Sequence, residues 1–147
     1  MKIIKAPNRI LDQKTEPVKS INSEIIKIIK KMKQIKEAKK ALGLAANQIG
    51  INKQIAIIGF KNDELQIPEI VLINPEITWR SSSNSTETEK CLSVDGEGNA
   101  VPRAKSIHLK YTDINGKKQK IKARGLLARI IQHEIDHLQG KKISDYK

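Results

Sequence analysis

At 147 residues the chain can bury about two-thirds of its unfolded surface, and it is read as one catalytic domain over 1–147. Twenty-eight lysines and arginines against 16 acidic residues give a formal charge of +12, which suits either a polyanionic partner or a solvated lysine-rich surface. The single cysteine, Cys91, excludes an intrachain disulfide, and no signal peptide or membrane span is legible, so a reducing cytoplasm is the expected location.

Residues 1–22 read as an irregular lead punctuated by Pro7 and Pro17. Asn22 or Ser23 can then cap a helix running to about Ala41, with Ile25, Ile28, Ile29, Met32 and Ile35 on one face and lysines over the rest. The helix gives way to ALGLAANQIG, residues 41–50, whose small residues permit close backbone approach. Gly43 is expected there for φ values that other residues resist. Lys53 to Phe60 and Ile70 to Trp79 read as strands joined by a polar turn.

Arg80 to Thr88, rich in Ser, Asn and Thr, reads as a surface loop or edge segment. EKCLSVDGEGNAVPR follows, with glycines and Pro102 around the cysteine. Ile107, Leu109 and Tyr111 alternate with His108 and Lys110 before an Asn115-Gly116 hairpin turn. His108 is thereby expected on the solvent side and outside any site. The last element is GLLARIIQHEIDHLQG, whose leucines and isoleucines recur near 3.6 residues, with Gly140 where a helix-terminating glycine belongs. One helix, several short strands and a late helix argue for an α+β fold rather than alternating β/α units. Scarce aromatics leave Ile, Leu, Val and Ala to build the core.

The chemistry concentrates in HEIDH, His133 to His137. Two histidines four apart share one helix face, about 5.4 Å apart along the axis. Both can therefore reach one metal ion, while Glu134 serves a water on it. Two of the chain's three histidines fall in this pattern, which weighs against chance. Taken alone, a free cysteine is more often buried and inert than a ligand. With His133 and His137, however, Cys91 would complete three ligands and leave a fourth position open.

The three segments together resemble the peptide deformylases. GLAANQ (Gly43 to Gln48), EKCLS (Glu89 to Ser93) and QHEIDHLQG (Gln132 to Gly140) are similar to that family's three motifs, in its order and at similar spacings. The resemblance implies short antiparallel strands packed around the HExxH helix, with an N-terminal helix. It implies hydrolysis of the N-formyl group from the initiator methionine of nascent polypeptides, releasing formate. The implied metal is one divalent ion on Cys91, His133 and His137: Fe(II) in the cell, with Zn, Ni or Co able to occupy the site. Water on the metal would be the nucleophile and Glu134 the general base, then acid, with the Gln48 amide and the Leu92 backbone N–H holding the oxyanion.

Leu126 and Ile130 precede His133 by seven and three positions, so they share its face and could wall a methionine pocket, core packing being the other reading. Gly43 and Leu44 would pair with an extended peptide like an added strand, and Glu89 and Lys90 complete the expected substrate contacts. Ala41 and Lys90 depart from the family pattern, in which glycine is usual at both. Lys90 is read either as solvated or as a contact to peptide residues beyond the formyl-methionine. The sequence ends ten residues after His137, without the C-terminal helix many bacterial members dock on the ribosome. The expected partners are formyl-methionyl nascent peptides and, through the basic surface, the ribosome, with no membrane and a monomeric state. An HExxH metalloprotease would need a further ligand downstream, where Asp145 is the only carboxylate after His137. A non-enzymatic RNA-binding module would not need the intact set of Gln48, Cys91, His133, Glu134 and His137.

Overall fold

The computed structural model describes residues 2–146. It is α+β: seven strands and two α-helices, with both sheets antiparallel. Helix α1 spans Ser23–Ala38 and helix α2 Gly125–Leu138. The strands are β1 Gly43–Ala45, β2 Ile55–Lys61, β3 Gln66–Arg80, β4 Asn84–Cys91, β5 Val94–Ala104, β6 Ser106–Thr112 and β7 Lys118–Arg124. One sheet has the order β1-β2-β3-β6-β7, so β1 and β7 are its edges, and β4 and β5 form a separate hairpin.

Asn22 caps α1, its side chain accepting from the Ile25 N–H. The helix stops at Ala38, three residues short of the expected Ala41; Lys40 takes a positive φ of 54° and turns the chain out. Ile25, Ile29 and Met32 are buried, as the periodicity required. Lys36 is buried too, because its ammonium donates to the Gly59 carbonyl at 2.5 Å.

The alternation of β2 places Ile55 and Ile57 on the α1 side and Ala56 and Ile58 on the other. Ile55, Ile57, Leu44 and Ile73 pack with Ile25, Ile29 and Met32. Ala56, Ile58, Leu72, Ile107 and Leu109 pack with Ala128, Ile131, Ile135 and Leu138 of α2. Thus α2 lies against one face of the sheet, and α1 covers only the β1–β3 part of the other.

Two expectations need correction, and one alternative is decided. Residues 43–45 form a strand, which the Gly/Ala composition disguised, followed by a tight turn at Ala46–Ile49. Of the two readings of residues 80–88, loop or edge segment, residues 84–88 follow the second, as part of the edge strand β4; polar side chains on both faces hid its strand period. Gly43 does not use a left-handed φ. It is glycine because a Cβ there would stand 2.7 Å from Glu134 Oε2. The Asn115-Gly116 turn and the Gly140 terminator hold, with φ of 81° and 80° at the two glycines.

Candidate metal centre and active site

Helix α2 carries its charged face under the β4–β5 hairpin, held there by a clamp at Gln132. The Gln132 side chain accepts from the Ala104 N–H at 3.1 Å and donates to the carbonyls of Ala104 and Ala128 at 2.9 and 3.0 Å. From the other side, Asn47 donates to the His137 carbonyl at 2.6 Å. The N-terminal lead straps the back of the site, Ile4 N–H donating to Gln48 O and Ala6 N–H to Ser93 O, both at 2.7 Å.

The end of β4 brings Cys91 to α2. Its Sγ lies 3.2 Å from His137 Nε2, and the ligand atoms of Cys91, His133 and His137 all lie within 4.8 Å of one another. One ion with bonds of about 2.0–2.3 Å could gather them. The donors are prepared for that role. His133 Nδ1–H donates to Glu89 Oε1 at 2.8 Å, leaving Nε2 as the free lone pair. Burial pushes the His137 imidazole well below its usual range, keeping it neutral. The Ser93 N–H donates to Cys91 Sγ at 3.4 Å and fixes the sulfur toward α2. Soft sulfur with two imidazoles suits a late divalent transition metal.

Glu89 is the post of this arrangement. Its Oε2 accepts from Arg103 Nε at 3.0 Å and from Arg129 Nη1, and its Oε1 from Arg103 Nη2 at 2.8 Å as well as from His133. Burial alone would raise its carboxyl, but the hydrogen bonds from His133 and Arg103 hold it well below the usual carboxylate range. Arg103 reaches on to Asp136 at 2.5 Å, and Tyr146 donates to the same carboxylate at 2.6 Å. Glu89 therefore orients a ligand with both oxygens occupied, and does not have the free acceptor expected of a substrate contact.

Glu134 is buried, and burial pushes its carboxyl up to about 7. Its Oε1 has no hydrogen-bond partner among the described residues. A carboxyl that shares its proton near neutrality can both take and return one. Gln48, only 2% exposed, is fixed by the Ala45 N–H on its Oε1 at 3.0 Å, which turns Nε2 toward Ser93 Oγ at 3.1 Å and Cys91 Sγ at 3.6 Å.

A cleft of about 510 Å³ opens over these groups. Gly43, Gln48, Glu89, Lys90, Cys91, Leu92, Leu126, Ile130, His133 and Glu134 all line it. Leu126, 44% exposed, and the buried Ile130 form an apolar wall on α2. Leu44 is the exception among the expected contacts: its side chain is fully buried in the α1-side core. The Ala45 N–H points away from β2, to Gln48. By the period of two, the Gly43 N–H and C=O share that direction and face the open edge of the sheet.

The sequence reading missed Arg103, Arg129, Ser93, Asp136 and Tyr146. Arg129 had a signal: it lies four residues before His133 on the same helix face, in an otherwise apolar run.

A family model described as polypeptide deformylase matches residues 1–146. A curated peptide deformylase of Rickettsia akari is 37% identical, over 98% of this chain and 85% of its own length. The crystal structure of a probable peptide deformylase from Synechococcus phage S-SSM7 superposes with a TM-score of 0.92 at 38% identity, covering 99% of both chains. A Met-Ala-Ser bound crystal structure of a class I type b peptide deformylase from Acinetobacter baumannii gives 0.94 at 28% identity, over 100% of this chain and 98% of the other.

Proposed function

The chain belongs to the peptide deformylase family, metal-dependent amide hydrolases that act on formylated nascent peptides, and from that premise we propose how its residues 1–147 perform the reaction as one catalytic domain. The observation that carries the reading is the convergence of Cys91, His133 and His137 beside the buried Glu134, in a cleft bordered by a free strand edge. A divalent metal held by those three ligands supplies Lewis acidity, lowering the pKa of water and polarising the formyl carbonyl.

The substrate's methionine side chain enters against Leu126 and Ile130. Its backbone extends along β1, where the outward N–H and C=O of Gly43 pair with it as a neighbouring strand would; the Leu44 N–H and C=O turn the other way, to β2. Glu134 Oε1 accepts the proton of the attacking water and returns it to the departing amine. Gln48 Nε2 and the Leu92 N–H, both at the cleft, donate to the developing oxyanion, each such donor typically worth about 2.7–4 kcal/mol at the transition state. Glu89, with Arg103 and Arg129 behind it, keeps His133 in the tautomer and orientation a ligand needs.

Lys90 is exposed at the rim together with Lys39 and Lys40, and none of the three has an ion-pair partner among the described residues. Glu87 is paired with Arg129 at 2.9 Å. The rim is therefore net positive, and it favours acidic side chains beyond the formyl-methionine. No helix among the described residues is long and apolar enough to cross a membrane; we place the enzyme in the cytoplasm as a monomer, associated with the ribosome where formylated chains emerge. Fe(II) is the proposed cellular metal, with Zn, Ni or Co as substitutes.

The test is formate release from formyl-Met-Ala-Ser by anaerobically purified protein whose metal content is measured in parallel. Rapid release with about one metal per chain is expected. Cleavage of unformylated peptides without formate release would replace the deformylase reading with a protease.

A further inference from the structure

The sheet has one broad surface that the deformylase reading does not use. On the face that α1 covers over β1–β3, the β6–β7 half carries no helix among the described residues. Register fixes what lies there, because directly paired residues share a face. Ser106 pairs with Arg124, His108 with Lys122, Lys110 with Lys120, and Thr112 with Lys118. Trp79 of β3 pairs with His108, their rings 4.6 Å apart. The one carboxylate brought to this face by pairing is Glu76, which is spent on Lys110 at 3.4 Å. Lys118, Lys120, Lys122 and Arg124 have no carboxylate partner among the described residues.

Lysines on an edge strand also discourage pairing with foreign strands, which would account for β7 by itself. It does not account for Lys110 on an interior strand, nor for an indole left 47% exposed, which such an edge would shed. A row of cations repeating every second residue, about 6.6–6.8 Å apart, runs beside the exposed Trp79 indole, which meets His108 at a tilt of 38°. Beside His108 is a hollow of about 490 Å³ whose lining includes Thr78, Lys110, Lys120 and Lys122 together with the apolar Leu109 and Ile121. That combination, a basic track with an aromatic ledge, is how single strands of nucleic acid are held without sequence preference.

We propose that the exposed β3–β6–β7 face binds single-stranded RNA, with a base stacked on Trp79 and successive phosphates along Lys118, Lys120, Lys122 and Arg124. The surface lies on the side of the sheet away from α2, so bound RNA leaves the substrate cleft open. Its identity as ribosomal RNA rests on the deformylase reading, but RNA binding itself does not.

The experiment measures fluorescence anisotropy of a labelled 12-nucleotide oligouridylate with the full chain across a salt series, and formate release from formyl-Met-Ala-Ser with the same preparations. Each phosphate that the wild type neutralises should add about 0.7 to the slope of log Kd against log salt. Trp79→Ala should weaken binding about 5- to 150-fold, with Trp79→Phe restoring most of it. Replacing Lys118, Lys120 and Lys122 together by Gln should cut the slope by about two, with formate release unchanged in every variant. Equal binding by wild type and the triple variant, or no effect of Trp79→Ala, would overturn the proposal. So would tighter binding to anionic lipid vesicles than to RNA. RNA binding without any formate release would sink the deformylase reading and leave this one standing.

Discussion

Replacing Gly43 by alanine tests the site at its tightest contact. Gly43 does not have a positive φ, so alanine meets no backbone objection and the whole effect comes from the added methyl. That methyl would stand 2.7 Å from Glu134 Oε2 and 3.0 Å from Cδ and Cγ, where ordinary contact begins near 3.4 Å, so the carboxylate must retreat by roughly 0.7 Å. Glu134 is buried, so it has no open solvent to swing into. A displacement near 1 Å at the reacting centre costs on the order of 10²-fold in rate. The ceiling is the loss on deleting the group, about 10²–10⁴-fold for a general base. Overpacking should cost about 1–3 kcal/mol of stability. In a formate-release assay at saturating peptide, Gly43→Ala should therefore lose about 10²-fold in kcat with metal content unchanged. Because Glu134→Ala removes the atoms the methyl strikes, the double variant should match Glu134→Ala within about twofold. Multiplying losses, or a Gly43→Ala defect confined to KM, would show that the methyl acts on the peptide instead and would refute the reasoning.

Other perturbations probe the ligands, their support and the rim. Cys91→Ser should leave purified protein well short of one metal per chain, because a hard hydroxyl replaces a soft sulfur; full metal occupancy by elemental analysis would contradict the ligand set. Glu89→Ala takes one of two carboxylates from each of two buried guanidiniums, which keep Asp136 and Glu87, and should lower the unfolding free energy by about 1–3 kcal/mol in urea titrations. Glu89 is held below its unfolded pKa near 4.3, so its contribution is present above that pH and lost as pH falls toward its native value. Glu89→Gln should accordingly flatten the loss of urea stability of chelator-treated protein below about pH 4.3, and an unchanged acid limb would count against the network. Lys90→Gly should erase any preference, in kcat/KM, for Asp over Lys at the position following formyl-methionine; identical ratios in the two enzymes would return Lys90 to the solvent.

The segments that form the Cys91, His133 and His137 cluster stood out because each is local: the HExxH spacing and the CLS stretch fit within a few residues, and only their convergence is long-range. Their support was not. Arg103 and Arg129 meet Glu89 from 14 and 40 residues away, and in a chain with 28 cationic side chains nothing marks which two are buried. Lys36 escaped notice the same way: nothing local sets it apart from the other lysines of α1, although it bonds a carbonyl inside. The helices followed their apolar period to within a turn. The β4–β5 hairpin did not announce itself, since a strand that is polar on both faces lacks the alternation that identifies one. Gly43 stood out for the wrong property: its need for space came from Glu134, 91 positions away in the chain, a relation no local pattern encodes.

The two edges of the main sheet are unlike, and under the docking proposed at β1 the difference sets the breadth of the enzyme's clientele. At β7 every second side chain is a cation, so a stray strand is turned away. At β1 the edge is open but only three residues long, which at about 3.3 Å per residue is a docking length of roughly 10 Å. A polypeptide can register there only its first few residues, and mostly through its main chain. Everything downstream is out of reach, so proteins that differ in all but their initiator present much the same face to this edge. A short seat of this kind makes a generalist of the protein that carries it.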